Sequence, residues 1–153
     1  MGRIAARRSL PLASALSLAA LLAVAPAACS SVAPPPEVPD SFPVAPLVAL
    51  DSDAGGLHIE LRAAPDPLVR GQNVVEISVH DSSGLPVDGL TLSLLPWMPS
   101  HGHGTSVRPA ITPTGEGVFI ANPLYLFMAG QWELRMTFEG GIHDTATAIV
   151  DIP

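Results

Sequence analysis

Apolar residues recur at every second position through most of the last hundred residues of this chain, and that period fixes the fold class. Leu57, Ile59 and Leu61 alternate with His58, Glu60 and Arg62, and Val75, Ile77 and Val79 with Glu76, Ser78 and His80. Leu90, Leu92 and Leu94 alternate with Thr91 and Ser93 and end at Pro96; Val118 and Ile120 follow a Gly115-Glu116-Gly117 turn. Trp132, Leu134, Met136 and Phe138 alternate with Glu133, Arg135 and Thr137, and a last run extends from about His143 to Ile152. Successive side chains of a strand point to opposite faces, so a strand with one face in a core and the other in water reads this way. No stretch combines a helical period with caps. Short strands parted by Gly, Pro and Asp turns predict an all-β, immunoglobulin-like antiparallel β-sandwich of about seven strands over residues 56–153, a size suited to one domain.

The segment before it has a different character. Residues Met1 to Arg8 carry three arginines and no acid, Ser9 to Val24 are apolar, and small residues lead to Cys29, the chain's single cysteine. A basic start, a short apolar run and a small-residue cleavage region form a secretory signal over residues 1–28. The run is too short to span roughly 30 Å of hydrocarbon as a permanent helix, so cleavage is expected. Cys29 followed by Ser30-Ser31 resembles the lipobox of bacterial lipoproteins, which implies acylation of Cys29; Pro26 stands where that pattern prefers an aliphatic residue. The other reading is plain cleavage after Ala25-Pro26-Ala27. The expected location is outside the cytoplasmic membrane, facing the periplasm and lipid-anchored, at the outer membrane. Six prolines between Val32 and Pro46 predict an extended spacer, and residues 29–55 are assigned to the lipidated cysteine and this tether.

With one cysteine the chain forms no internal disulfide, so stability rests on burial. All 14 acidic residues lie at Glu37 or later and lysine is absent, so beyond the leader four arginines face fourteen acids, a net charge of −10. Such a surface excludes nucleic acid as a partner, because phosphate binding needs a basic patch, and it favours cations.

Chemistry concentrates in one loop, Pro96-Trp97-Met98-Pro99-Ser100-His101-Gly102-His103-Gly104. Two imidazoles one residue apart, each followed by glycine, can turn toward a common point. Met98 adds a thioether. Thioether with imidazole suits copper, sulfur favouring Cu(I) and nitrogen accepting either oxidation state, whereas zinc usually recruits thiolate or carboxylate. Met98, His101 and His103 are the candidate metal ligands, with Met128 as a further one if it lies beneath the loop.

The loop, taken with Asn122-Pro123-Leu124-Tyr125 and with Leu126-Phe127-Met128-Ala129-Gly130-Gln131-Trp132-Glu133-Leu134, resembles the YtkA-like domain family, also found in the periplasmic part of FixH-type proteins. The resemblance covers roughly Gly56 to Ile152. It implies an exported or membrane-anchored domain associated with copper and respiratory-oxidase biogenesis, and as partners a copper-accepting or respiratory-complex protein.

Other readings of the same residues stand beside these. His101 and His103 can instead order a wide turn through its carbonyls, which would make the domain a non-metal interaction module of a membrane-associated complex. Met128 reads as core as well as ligand, and Met136 as core. His58 and His80 fall on the polar phase of their strands and read as solvated; His143 opens a strand beside Asp144 and is a ligand only if the sandwich brings that end near the loop. Trp97 and Trp132 read as packing residues. No nucleophile elbow or phosphate loop is present, and Ser100 next to His101 makes no triad, so no enzyme is expected.

Overall fold

The computed structural model describes residues 34–153, which form nine strands and no helix. In chain order they are β1 (Val48–Asp51), β2 (Leu57–Ala64), β3 (Gly71–Asp81), β4 (Thr91–Met98), β5 (His103–Gly104), β6 (Ala110–Gly115), β7 (Val118–Leu126), β8 (Gly130–Glu139) and β9 (Asp144–Ile152). The signal segment and Cys29 lie outside the described residues.

Two antiparallel sheets result, ordered β1-β2-β3-β7-β6 and β5-β4-β8-β9. Without β1, the chain-order pattern is that of an immunoglobulin sandwich: first, second, fifth and sixth strands in one sheet, third, seventh and eighth in the other, with a short added strand beside the third. The period read from the sequence is the burial pattern of the structure, β9 alternating buried and exposed at all nine positions. Ile59, Leu61, Ile77 and Val79 from one sheet meet Leu94, Trp132, Leu134 and Phe138 from the other, none more than 3% exposed. Trp132 is buried whole, so its indole N–H needs a partner and donates to the Met128 carbonyl at 2.9 Å.

Three of the nine strands, β1, β5 and β6, lie outside the six alternating runs of the sequence, and each has a local reason. β1 follows a proline-rich stretch and is only half-buried, β5 is two residues long, and β6 is an exposed edge containing Pro113. β4 also runs past Pro96 to Met98. The Pro96 carbonyl faces Gly104 of β5, so the position of its missing N–H lies on that side and the ladder to β8 is kept.

The domain also begins earlier than Gly56, within the stretch assigned to the tether. β1 pairs with β2 from Val48↔Leu61 to Asp51↔His58. Upstream of it the proline-rich chain is fastened to the sheet: Asn122 Nδ2 donates to the Pro36 carbonyl at 2.8 Å, Arg62 Nε to the Val44 carbonyl at 3.3 Å, and the Leu47 amide to the Leu61 carbonyl at 2.7 Å. Arg62 pairs across strands with Glu76, and Glu76 with Ile120, which places these residues on the outer face of the five-stranded sheet. Val74 and Ile120 are buried there yet stand apart from the central core, because the proline-rich strap lies over that face.

Asp144 ties the two sheets together at one end. Its Oδ1 accepts from the amides of Ala54 (3.0 Å) and Thr145 (2.8 Å), joining the β1–β2 turn to β9. Oδ2 makes no hydrogen bond of good geometry, yet the Ser52 hydroxyl is near enough to be the main influence lowering the carboxyl pKa below 3.8. Burial opposes that shift, and the amides of Ala54, Thr145 and Gly56 reinforce it.

Candidate metal-binding loop

The β4–β5 connection is a tight turn built on the Met98 carbonyl, which accepts from the amides of His101 (3.1 Å) and Gly102 (3.0 Å). Both glycines of the His-Gly-His-Gly run have a steric reason. Gly102 sits at φ +67°, a left-handed conformation that side chains with a Cβ rarely adopt. At Gly104 a Cβ would lie 2.5 Å from the Pro96 carbonyl oxygen, so only glycine lets β5 approach β4. The glycines bring the two histidines back against the sheet end.

His101 and His103 are both exposed, and their ring centroids stand 5.7 Å apart in an edge-on arrangement. A nitrogen ligand lies 2.0–2.1 Å from its metal, which puts a bound ring's centroid about 3.2 Å from the ion and limits two rings sharing one ion to about 6.4 Å. The pair falls inside that limit. His103 Nδ1 lies 3.1 Å from the Gly104 carbonyl oxygen. A carbonyl only accepts, so this contact puts the proton on Nδ1 and leaves the Nε2 lone pair for a ligand.

Met98 pairs directly with His103 across the β4–β5 ladder, so the two side chains share the inward face of the sheet. Their environments differ: Met98 is 3% exposed and belongs to the core, while His103 stands at the rim. Met98 is in phase with Leu92 and Leu94, and extending their alternation past Pro96 would have placed it inside. The Met98 methyl lies close over Gly130, where an added Cβ would sit 3.1 Å from it. Met128, in the turn between β7 and β8, is half-buried against the same core, so both thioethers lie at the end of the sandwich that carries the histidine turn. Among the described residues no three His, Cys, Asp or Glu side chains cluster as metal ligands. Any ion held here by more than two protein side chains therefore needs sulfur from Met98 or Met128, and that selects a soft cation.

His143 precedes β9 at the end of the four-stranded sheet away from the histidine turn, since Asp144 pairs with Phe138 and Glu139 with Thr91. Met136 and Trp132 are core residues, each 1% exposed. Trp97 is half-buried under the Arg135 guanidinium, 4.8 Å from its ring centroid. Just past the end of β7, in the other sheet, the structure adds what alternation does not reveal: Phe127 is 47% exposed and stacks on Tyr125 with centroids 5.1 Å apart. No described helix is long and apolar enough to cross a membrane.

In comparisons with known proteins, the YtkA-like family pattern matches residues 51–137. Among solved structures, a DUF4426 family protein from Pseudomonas aeruginosa PAO1 is similar with a TM-score of 0.47 and 12% identity, over 64% of this chain and 91% of that one. The Lin-41 filamin domain is similar with a TM-score of 0.41 and 19% identity, over 61% of this chain and 91% of that one. No curated protein matches the chain in sequence.

Proposed function

The chain belongs to the YtkA-like family, and from that premise we propose that it is an exported, lipid-anchored domain that binds copper at the β4–β5 turn and passes it to a partner outside the cytoplasmic membrane. The observation that carries this reading is the paired exposure of His101 and His103, 5.7 Å apart, with the Met98 thioether opposite His103 in register. Copper is cargo here, so the donor set must hold it and also release it. His101 and His103 supply neutral nitrogen at the surface, where a partner can reach the ion. Met98 supplies soft sulfur from beneath, with Met128 nearby as a second thioether, and these favour Cu(I). The Gly104 carbonyl orients His103, the outer-shell contact that metal-binding histidines commonly make.

Anchoring rests on Cys29 and the leader before it, and the acceptor is a copper-receiving or respiratory-complex protein. The domain acts as a binding module, with no catalytic role. The alternative, a turn that serves shape alone, is favoured by one observation, the burial of Met98. Titration against a competing Cu(I) chelator under reducing conditions separates the two. The protein should take up one Cu(I) per chain, Met98→Leu should weaken Cu(I) more than Cu(II), and His101→Ala with His103→Ala should abolish uptake of Cu(I). A double variant that competes as well as the parent makes the turn structural and the copper reading wrong.

A further inference from the structure

At the opposite end of the sandwich, where β3 hands the chain on toward β4, a cavity of about 460 Å³ is lined by Asp51, Leu57, His58, His80, Asp81 and Ser82. It lies far from the histidine turn, since β4 alone runs about 23 Å from Thr91 to Met98 at roughly 3.3 Å per residue. Three of the lining residues form one row across three strands: Asp51 pairs with His58, and His58 with His80. Directly opposed residues project from the same face with Cβ atoms about 4.5–5.5 Å apart. His58 and His80 are on the outer face, because their neighbours Leu57, Ile59 and Val79 fill the core.

We propose that His58 and His80 chelate a divalent transition-metal ion of the zinc and copper(II) class across β2 and β3, in a second site independent of the copper-binding turn. Opposed imidazoles at that Cβ spacing reach a shared ion at the 2.0–2.1 Å that nitrogen ligands take. Asp51 completes the outer shell: its Oδ1 lies 2.9 Å from His58 Nδ1, a carboxylate only accepts, and so the proton sits on Nδ1 and the Nε2 lone pair is left for the ion. Glu60 Oε1 lies 4.0 Å from His58 Nε2 with the other Glu60 oxygen on Arg62, but among the described residues no three His, Cys, Asp or Glu side chains cluster to hold an ion, which leaves Glu60 outside the ligand set. The site is therefore a two-histidine chelate with water in the remaining positions. No methionine or cysteine lines the cavity, so it selects the borderline divalent ions over Cu(I), the reverse of the preference at the other end.

Zinc chloride is the probe, and the His101→Ala and His103→Ala protein is the background, so that the turn contributes nothing. Imidazole nitrogen resonances of His58 and His80 should shift together and saturate at one Zn(II) per chain. His58→Asn and His80→Asn should each weaken binding at least about tenfold by breaking the chelate, and Asp51→Asn should weaken it about 10- to 100-fold, the usual effect of losing an outer-shell partner. Both histidines sit on the solvent side of their strands, and an unchanged thermal midpoint confirms that each variant is folded. Resonances that move independently, titration without saturation, or single variants that bind as the parent does would overturn the site. Because the background lacks the turn histidines, neither result bears on the copper reading.

Discussion

Replacing Gly104 by alanine tests whether the fold and the proposed copper site share one support. The new Cβ would stand 2.5 Å from the Pro96 carbonyl oxygen, 3.5 Å from Leu95 Cδ1 and 3.6 Å from the Pro96 carbonyl carbon. A carbon and an oxygen of this kind approach to about 3.3 Å, so β5 must retreat from β4 by roughly 0.8 Å. The clashing atom is backbone, and no rotamer change relieves it. Overpacking of this kind costs about 1–3 kcal/mol. The ceiling is set by what β5 can lose, since a two-residue edge strand detaches once its ladder bonds, at about 0.5–1.5 kcal/mol each, no longer hold it. A loss near 2 kcal/mol follows, which in a domain of this size lowers the thermal midpoint by about 8 °C. His103 moves with β5, so Cu(I) affinity should fall by at least about tenfold, or about 1.4 kcal/mol. Gly102→Asn is the control: its φ of +67° suits asparagine and no atom lies within 4 Å of the added Cβ, so stability should change by less than about 1 kcal/mol. Thermal unfolding and chelator competition on the same samples decide it. A Gly104→Ala protein whose midpoint and Cu(I) affinity both match the parent would show that β5 is not pinned against Pro96.

Trp132→Ala removes the largest fully buried side chain and should cost about 3–5 kcal/mol in urea unfolding, whereas Trp97→Ala, half-buried under Arg135, should cost clearly less. Asp144, whose carboxyl titrates below 3.8 in the fold, stabilises the native state above that pH and loses the contribution as pH falls through its folded pKa; Asp144→Asn should flatten the acid limb of stability measured from pH about 5 to 2. Cys29→Ala should leave the protein uncleaved or release it from membranes in fractionation, and equal solubility of parent and variant would end the lipid-anchor reading.

What the sequence reveals depends on whether the deciding interaction lies within a strand or between strands. β2, β8 and β9 are legible because each has one face in the core and one in water, and alternation records that directly. β6 carries no such record, since nearly all its side chains are exposed and Pro113 interrupts it. At the candidate site, the adjacency of His101 and His103 is visible in the spacing, as is the need for glycine around them. The burial of Met98 is also written in the phase of Leu92 and Leu94, but Pro96 masks it by resembling a strand end. The row Asp51, His58 and His80 is of another kind. His58 and His80 each read as a solvated polar position in its own strand, Asp51 falls in the stretch assigned to the tether, and only register, set by pairing among three strands, brings them side by side.

The proline-rich strap has a practical consequence for handling the protein. A fragment cut at Gly56, where alternation begins, would lack β1 and the chain that Asn122 and Arg62 hold. Its new border strand would be β2, eight residues long, with unpaired backbone along one side, and Val74 and Ile120 would face solvent on the adjoining surface. A long bare border next to apolar side chains is a template for self-association. Fragments of this domain intended for study in solution should therefore begin no later than Pro36, because the residues that look like a linker act as a sleeve over the border and outer face of the sheet.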